Sequence, residues 1–337
     1  MNRVRYGIIG LGGWARNVHI PNLNQIERAE ITAVCARSEE NRAKALAACK
    51  GKPAAFPDYR DVLASSDVDA VLITTPNNTH AGMALEALQA GKHVFCEKPM
   101  GLNVPECDEV VRAAEASGRV FTVGQELRYA PIVREVQALI ARGAIGALKM
   151  VRAELMRGRL GMGTWRLDPA AYGGVMMDVG IHYLDLLCFL MGGAPRRVSG
   201  SGGDATGAGY MNQCQVLVDF EGGGLGAFGM CLYCPTGGEI TVTAFGTDGR
   251  IEALAQAGQI TAYDYRSAKK DVRTLPAPTD HKVYGFPGTY EVHLAFIAGI
   301  LSRAGVEADG RAGRQAVAVS LAAQEAISKG AAVHLEG

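Results

Sequence analysis

Short runs of apolar residues, bounded by glycine, proline or polar turn residues, alternate with helix-patterned stretches through the first third of the chain. Val4–Ile9, 31–36 (ITAVCA), 71–73 (VLI), His93–Cys96 and 119–124 read as strands. Their near-continuous apolarity predicts burial on both faces, as in a parallel sheet. Between them, 39–49, a segment from His80 closing at Gly91, and 103–117 carry helical spacing. Strand and helix in alternation at this distance predict a doubly wound parallel sheet of the Rossmann type, ending near residue 123.

The pattern then changes. A helix is expected from Pro131 to about 142, a strand over 148–157, and an apolar helix over 176–191 closing at Gly192 and Gly193. From 196 onward the segments RRVSGS, QCQVLVDF, LGAFGMCLY, EITVTAFG and QITAYDY read as strands, several of them separated by glycine-rich turns. They predict a large, mostly antiparallel open sheet. Helices over 289–302 and 311–329 complete the chain. The expected class is therefore α/β, with a nucleotide-binding domain at 1–123 and an α+β domain for substrate binding and dimerisation at 124–337. At 337 residues two domains are the default.

Two sets of residues carry candidate chemistry in the first half. Gly10, Gly12 and Ala15, with Gly13 and Trp14 between them, follow the first strand in G-x-G-x-x-A spacing. That spacing allows a tight turn, close backbone approach to a pyrophosphate, and close helix–strand packing. At the end of the second strand an acid would mark selection of NAD through its ribose hydroxyl. Ala36, Arg37 and Ser38 stand there instead, so NADP is expected to be favoured over NAD. The second set lies where later strands end: Thr75, Pro76 and Asn77 ahead of His80, and Glu97 and Lys98 ahead of Pro99. In an open parallel sheet the carboxyl ends of the strands are where ligands bind.

In the second half Asp178 and His182 are four residues apart on an expected helix, so they share a face, with Asp185 nearby. An aspartate beside a histidine favours the imidazolium and fixes its tautomer, as a proton-transferring pair needs. Trp165 and Arg166 precede them on a glycine-rich loop.

Composition mainly excludes. The 34 basic and 34 acidic residues balance, leaving no electrostatic footprint for nucleic acid or anionic lipid. Apolar runs look too short for a membrane span and no leader pattern precedes the first strand, so a cytoplasmic protein is expected. The eight cysteines are scattered, and Cys231-x-x-Cys234, with no second pair and no histidine nearby, does not raise an expectation of a metal or redox site.

GIIGLGGWA, the run DAVLITTPNNTHAGMALEALQAGKHVFCEKPM and the later GGVMMDVGIHYLDLL together resemble the Gfo/Idh/MocA oxidoreductases over nearly the whole chain. The resemblance implies an NAD(P)-dependent enzyme acting on a CH–OH group of a sugar, cyclitol or related polyol, as a homodimer or homotetramer. It implies that Lys98 lies beside nicotinamide and substrate, that the Lys98–Pro99 bond is cis, and that the last helix packs near the nucleotide domain. On this reading Lys98, Asp178 and His182 are catalytic. Cofactor contacts fall to Gly10, Gly12, Gly13, Trp14, Ala15, Arg37, Ser38, Thr75, Pro76, Asn77, His80, Glu97, Lys98 and Gln125. Substrate contacts fall to Lys98, Tyr129, Trp165, Arg166, Asp178 and His182, and no metal is implied. Two other functions stay open at this point: a silent nucleotide-sensing regulator and an NAD-assisted glycoside hydrolase.

Overall fold

The computed structural model describes residues 2–161, 164–234, 238–277, 281–302 and 304–335, in two compact units. The first comprises 1–129, 170–172 and 278–317, the second the remainder.

The first unit is built on a six-stranded parallel sheet: β1 (Val4–Ile9), β2 (Ala29–Cys35), β3 (Ala54–Phe56), β4 (Ala70–Ile73), β5 (His93–Cys96) and β6 (Phe121–Val123). Its order is β3-β2-β1-β4-β5-β6. The chain reverses direction across the sheet between β1 and β4, and crevices for nucleotides open at such a switch point. All four residues of β4 are buried, as a strand covered on both faces requires. β3 was not expected; three residues, two of them alanine, are too few to show a period. The helices are capped as their sequences suggest. The Ser38 hydroxyl accepts from the Asn41 amide, and the Asn103 side chain accepts from the Glu106 amide.

The sequence assigned everything after residue 123 to the second domain, but the first unit also takes in 278–317. The reason is packing. Val292, Phe296 and Ile297 of helix Glu291–Ser302, with Ala308, complete the core around Val4, Tyr6, Ile8, Leu72 and Phe95. The first two turns of helix Gly310–Lys329 belong here too. Arg311 pairs with Glu115, and Arg314 donates to Asp108 at 3.0 Å.

The second unit holds a nine-stranded sheet. Its strands are β7 (Leu148–Met156), β8 (Pro195–Gly203), β9 (Gln213–Phe220), β10 (Leu225–Cys231), β11 (Glu239–Gly246), β12 (Gly249–Leu254), β13 (Gln259–Asp264), β14 (Lys270–Thr274) and β15 (Val333–His334). Neighbours run antiparallel except β7 and β10, which are parallel. β9 alternates strictly over its first six residues, exposed then buried, so one face meets the core. Helix Ile181–Met191 lies on that face, where Tyr183 stacks on Phe228 with ring centroids 5.0 Å apart. The helical run Ala170–Met191 is long and apolar enough to cross a membrane, contrary to the sequence expectation. It is largely buried within the protein, as the core helix of a globular domain would be.

Candidate active site

β1 delivers the chain into the glycine loop, and Gly10 makes the turn at φ +91°. A side chain there would sit 2.7 Å from the Thr74 carbonyl oxygen, so glycine is required by the protein's own backbone. Gly12 differs. A Cβ on it would meet nothing within 4 Å, and one on Gly13 only the Asn17 amide at 3.9 Å. The loop is thus open on the side where a pyrophosphate would approach. The segment after it is a π-helical turn, Ala15–His19, then the short helix Ile20–Leu23, rather than the long α-helix such loops usually lead into. Wide turns of this kind recur at functional sites.

Thr75, Pro76 and Asn77 follow β4. His80, 1% exposed, faces the Pro99 and Thr75 carbonyl oxygens, one from each ring nitrogen, both at 2.8 Å. Its burial lowers its pKa, against the pull of those two carbonyls. It therefore sits between the loop after β4 and the turn after β5 with both nitrogens turned to the protein's own carbonyls, where the sequence reading had given it to the cofactor. The buried Asn77 amide likewise donates to the Tyr172 carbonyl at 2.9 Å.

At the end of β5 the Lys98–Pro99 peptide is cis. Glu97 is largely buried, and its Oε1 accepts from Trp14 Nε1 at 3.3 Å and faces His19 Nε2 at 3.0 Å. The Lys98 amide donates to Glu97 Oε2 at 3.2 Å. Lys98 itself is half-buried. Just after β6, Gln125 is 1% exposed, and neither its side-chain nitrogen nor its side-chain oxygen has a partner among the described residues. Both would be satisfied by a ligand with donor and acceptor side by side, such as a carboxamide. An open glycine cradle and an orphaned buried amide in one unit fit a nicotinamide dinucleotide.

Tyr129, expected at the substrate, is buried instead, and its hydroxyl accepts the Ala308 amide at 3.0 Å. At the end of β2, Arg37 is exposed and Ser38 caps a helix. Arg42, which the sequence reading passed over, donates to the Ala36 and Arg37 carbonyls at 2.6 and 2.9 Å and shapes that corner.

In the second unit Asp178 is buried within a π-helical turn, Met176–Gly180, which precedes helix Ile181–Met191. The expected continuous α-helix over 176–191 is therefore wrong at its start, where hydrogen bonds close wider rings. Arg166 Nε donates to Asp178 Oδ2 at 3.0 Å, and its guanidinium lies 4.7 Å from the centroid of the Trp165 ring. Arg166 thus joins Asp178, which the sequence had paired with His182 alone. His182 is half-buried on the following turn. Among the described residues no cluster of three or more histidine, cysteine or acidic side chains could hold a metal ion.

Comparison with known proteins is decisive at this point. Residues 4–125 match the model of an oxidoreductase family with an NAD-binding Rossmann fold, and residues 133–252 match the GFO/IDH/MocA C-terminal domain. The chain belongs to the Gfo/Idh/MocA family. It is 30% identical to a trans-1,2-dihydrobenzene-1,2-diol dehydrogenase of Bos taurus, over 82% of this chain and 81% of that protein. It is also 30% identical to a scyllo-inositol 2-dehydrogenase (NADP(+)) of Bacillus subtilis, over 65% and 67% respectively. In fold it is similar to a levoglucosan dehydrogenase solved with NADH and L-sorbose, with a TM-score of 0.88, 20% identity and full coverage of both chains. This Gfo/Idh/MocA chain is accordingly an NAD(P)-linked oxidoreductase, and its first unit is the nucleotide-binding one.

Proposed function

We propose that this enzyme catalyses reversible oxidation of a secondary alcohol on a sugar, cyclitol or related polyol, with NADP favoured over NAD. The observation that carries the reading is the open Gly12 loop, with the orphaned Gln125 amide in the same unit, in a chain of this family. A bound nicotinamide supplies the hydride acceptor or donor. The protein's residues handle the proton and the charge. His182 takes the hydroxyl proton as general base, the role that imidazole fills most often. Asp178, held by Arg166, orients His182, and Trp165 offers an apolar face to a sugar ring. Lys98 stabilises the developing alkoxide. The substrate class is supported by relatives named for inositol and dihydrodiol substrates.

The cofactor preference is supported by exposed Arg37 and by Ser38, whose hydroxyl keeps a free proton to donate while it caps its helix. Relatives divide on this point, one named for NADP(+) and one solved with NADH. A homodimer through the open face of the nine-stranded sheet is supported by Leu217, 44% exposed on β9, and Val272, 48% exposed on β14. Eight free cysteines support a reducing cytoplasm. A panel of sugars and inositols offered with each cofactor, followed by nicotinamide absorbance, tests the central reading. Glycoside cleavage without net reduction, or tight nucleotide binding with no turnover on any of the panel, would overturn it. A monomeric mass by light scattering would remove the dimer.

A further inference from the structure

Beneath the strand end that carries Lys98, three ionisable side chains are linked in the interior of the nucleotide-binding unit. Glu97 Oε1 and His19 Nε2 are 3.0 Å apart, and His19 Nδ1 and His293 Nε2 are 2.9 Å apart. His19 is 2% exposed and His293 fully buried. Nothing in the nucleotide fit uses either histidine. A carboxylate only accepts hydrogen bonds, so His19 must present Nε2–H to Glu97. One pattern then leaves no buried N–H without an acceptor: His19 Nδ1 accepts, His293 Nε2–H donates, and His293 Nδ1 is a bare lone pair. His293 Nδ1 is indeed buried without a partner. An orphaned acceptor is better tolerated than an orphaned N–H. Burial, with the neighbouring His19, keeps His293 neutral by lowering its pKa well below the usual range.

The chain is held from both sides. His293 stacks on Phe95 at 4.7 Å, and His19 meets the same ring edge-on at 5.7 Å. Gly124 closes over the other end, where a side chain would lie 2.7 Å from Glu97 Oε1. The carboxylate so fixed accepts the Lys98 amide and the Trp14 indole.

We propose that His19 and His293 are positioning residues, which lock the Glu97 carboxylate and through it the backbone from which Lys98 projects. A core of ordinary apolar side chains would stabilise this unit as well, whereas a directional hydrogen-bonded chain specifies one geometry. The proposal rests on the role given to Lys98 above, so its test separates the two.

His293→Leu removes the donor to His19, while His293→Gln retains an amide N–H at the Nε2 position. The Leu variant is expected to lose about tenfold in kcat, the order of one hydrogen bond. Its NADP affinity, by titration, should stay within about twofold, because no phosphate contact is touched. The Gln variant should recover most of kcat. In protein labelled with ¹⁵N at tryptophan and histidine, the Trp14 indole resonance should move in the Leu variant and return in the Gln variant. Wild-type His293 should show a protonated Nε2 and a bare Nδ1. Equal losses of kcat in the Leu and Gln variants, an unchanged kcat in the Leu variant, or a proton on His293 Nδ1 would each overturn the proposal. If the Leu variant does not fold, the wild-type tautomer and the Gln variant's indole resonance still decide it. Full turnover by Lys98→Ala would remove the Lys98 reading instead, and would leave the tautomer and indole signals standing.

Discussion

β4 and β9 show how differently the two units are built. β4 is buried at all four positions, between layers of helix, and its side chains carry no chemistry. β9 buries every second residue over its first six and leaves Leu217 exposed on the other face. A sheet covered on both faces must send its polar work to loops at its edge, and in the first unit the glycine loop, Thr75–Asn77, Glu97–Lys98 and Gln125 all follow strand ends. A sheet covered on one face can carry an apolar helix there, and the second unit places Asp178 and His182 on the helical run that covers its sheet. On the function proposed above, the first unit would hold its ligand with backbone and loops, and the second would offer side chains for proton transfer. The first unit also buries His80 and His293, and burial lowers the pKa of each.

The largest effects should fall on turnover without touching nucleotide binding. His182→Ala is expected to lower kcat by ~10²–10⁴ and Lys98→Ala by ~10²–10³, with near-normal NADP affinity in both. Asp178→Asn should fall less far, because it reaches the proton transfer only through the orientation of His182 and the weakened pairing with Arg166. Stopped-flow turnover beside nucleotide titration measures the split. Near wild-type turnover in His182→Ala would end the division of labour drawn above.

Next in size is the phosphate corner of the first unit. Arg37→Ala should weaken NADP binding by about tenfold to a hundredfold, the value of a charge-assisted contact of ~1.5–3 kcal/mol, and leave NAD nearly unchanged. Wild-type protein that binds NAD more tightly than NADP would show that this corner does not select.

Two glycines of one loop separate folding from binding. Gly10→Ala places a Cβ against the Thr74 carbonyl at a positive φ and should cost roughly 1–3 kcal/mol of stability, read by thermal melting. Gly12→Ala meets nothing within 4 Å among the described residues, so its melting temperature should hold while nucleotide affinity drops. Equal melting temperatures for the two variants would contradict the geometry of the loop.

The smallest effect is acid sensitivity. His80, His93 and His293, all in the first unit, have pKa values lowered from 6.5, in each case chiefly by burial. Their folded values lie below their unfolded ones. The unfolded chain therefore takes up protons that the folded chain refuses once pH drops below the unfolded value. Stability present above that value is lost as pH falls towards the folded pKa, with the partly exposed His93 contributing least because solvent screens it. Melting followed from neutral pH down to about pH 5 should show the decline. His293→Gln should flatten it. An unchanged slope in that variant would take His293 out of the account.

Much of this molecule was legible in one dimension because local rules set it. Continuous apolar runs marked β1, β4 and β5 as buried parallel strands, and the succession of strands after residue 196 marked a large, mostly antiparallel sheet. Gly10 and Gly12 announced the loop, and Pro99 fixed where β5 stops and left Lys98 at its edge. Those signals depend on residue type and spacing along the chain, which sequence displays directly. What tertiary structure decided depends on partners distant in sequence. Helix Glu291–Ser302 joined the first unit because its apolar face fits beside β1, and no pattern within the helix says which core it completes. Tyr129 became an interior acceptor for the Ala308 amide, and both His80 nitrogens came to face carbonyls, once folding supplied those partners. The pairing of His19 with His293 spans 274 positions of sequence. A histidine's role is set by what faces its two nitrogens, and only the folded chain brings those groups together.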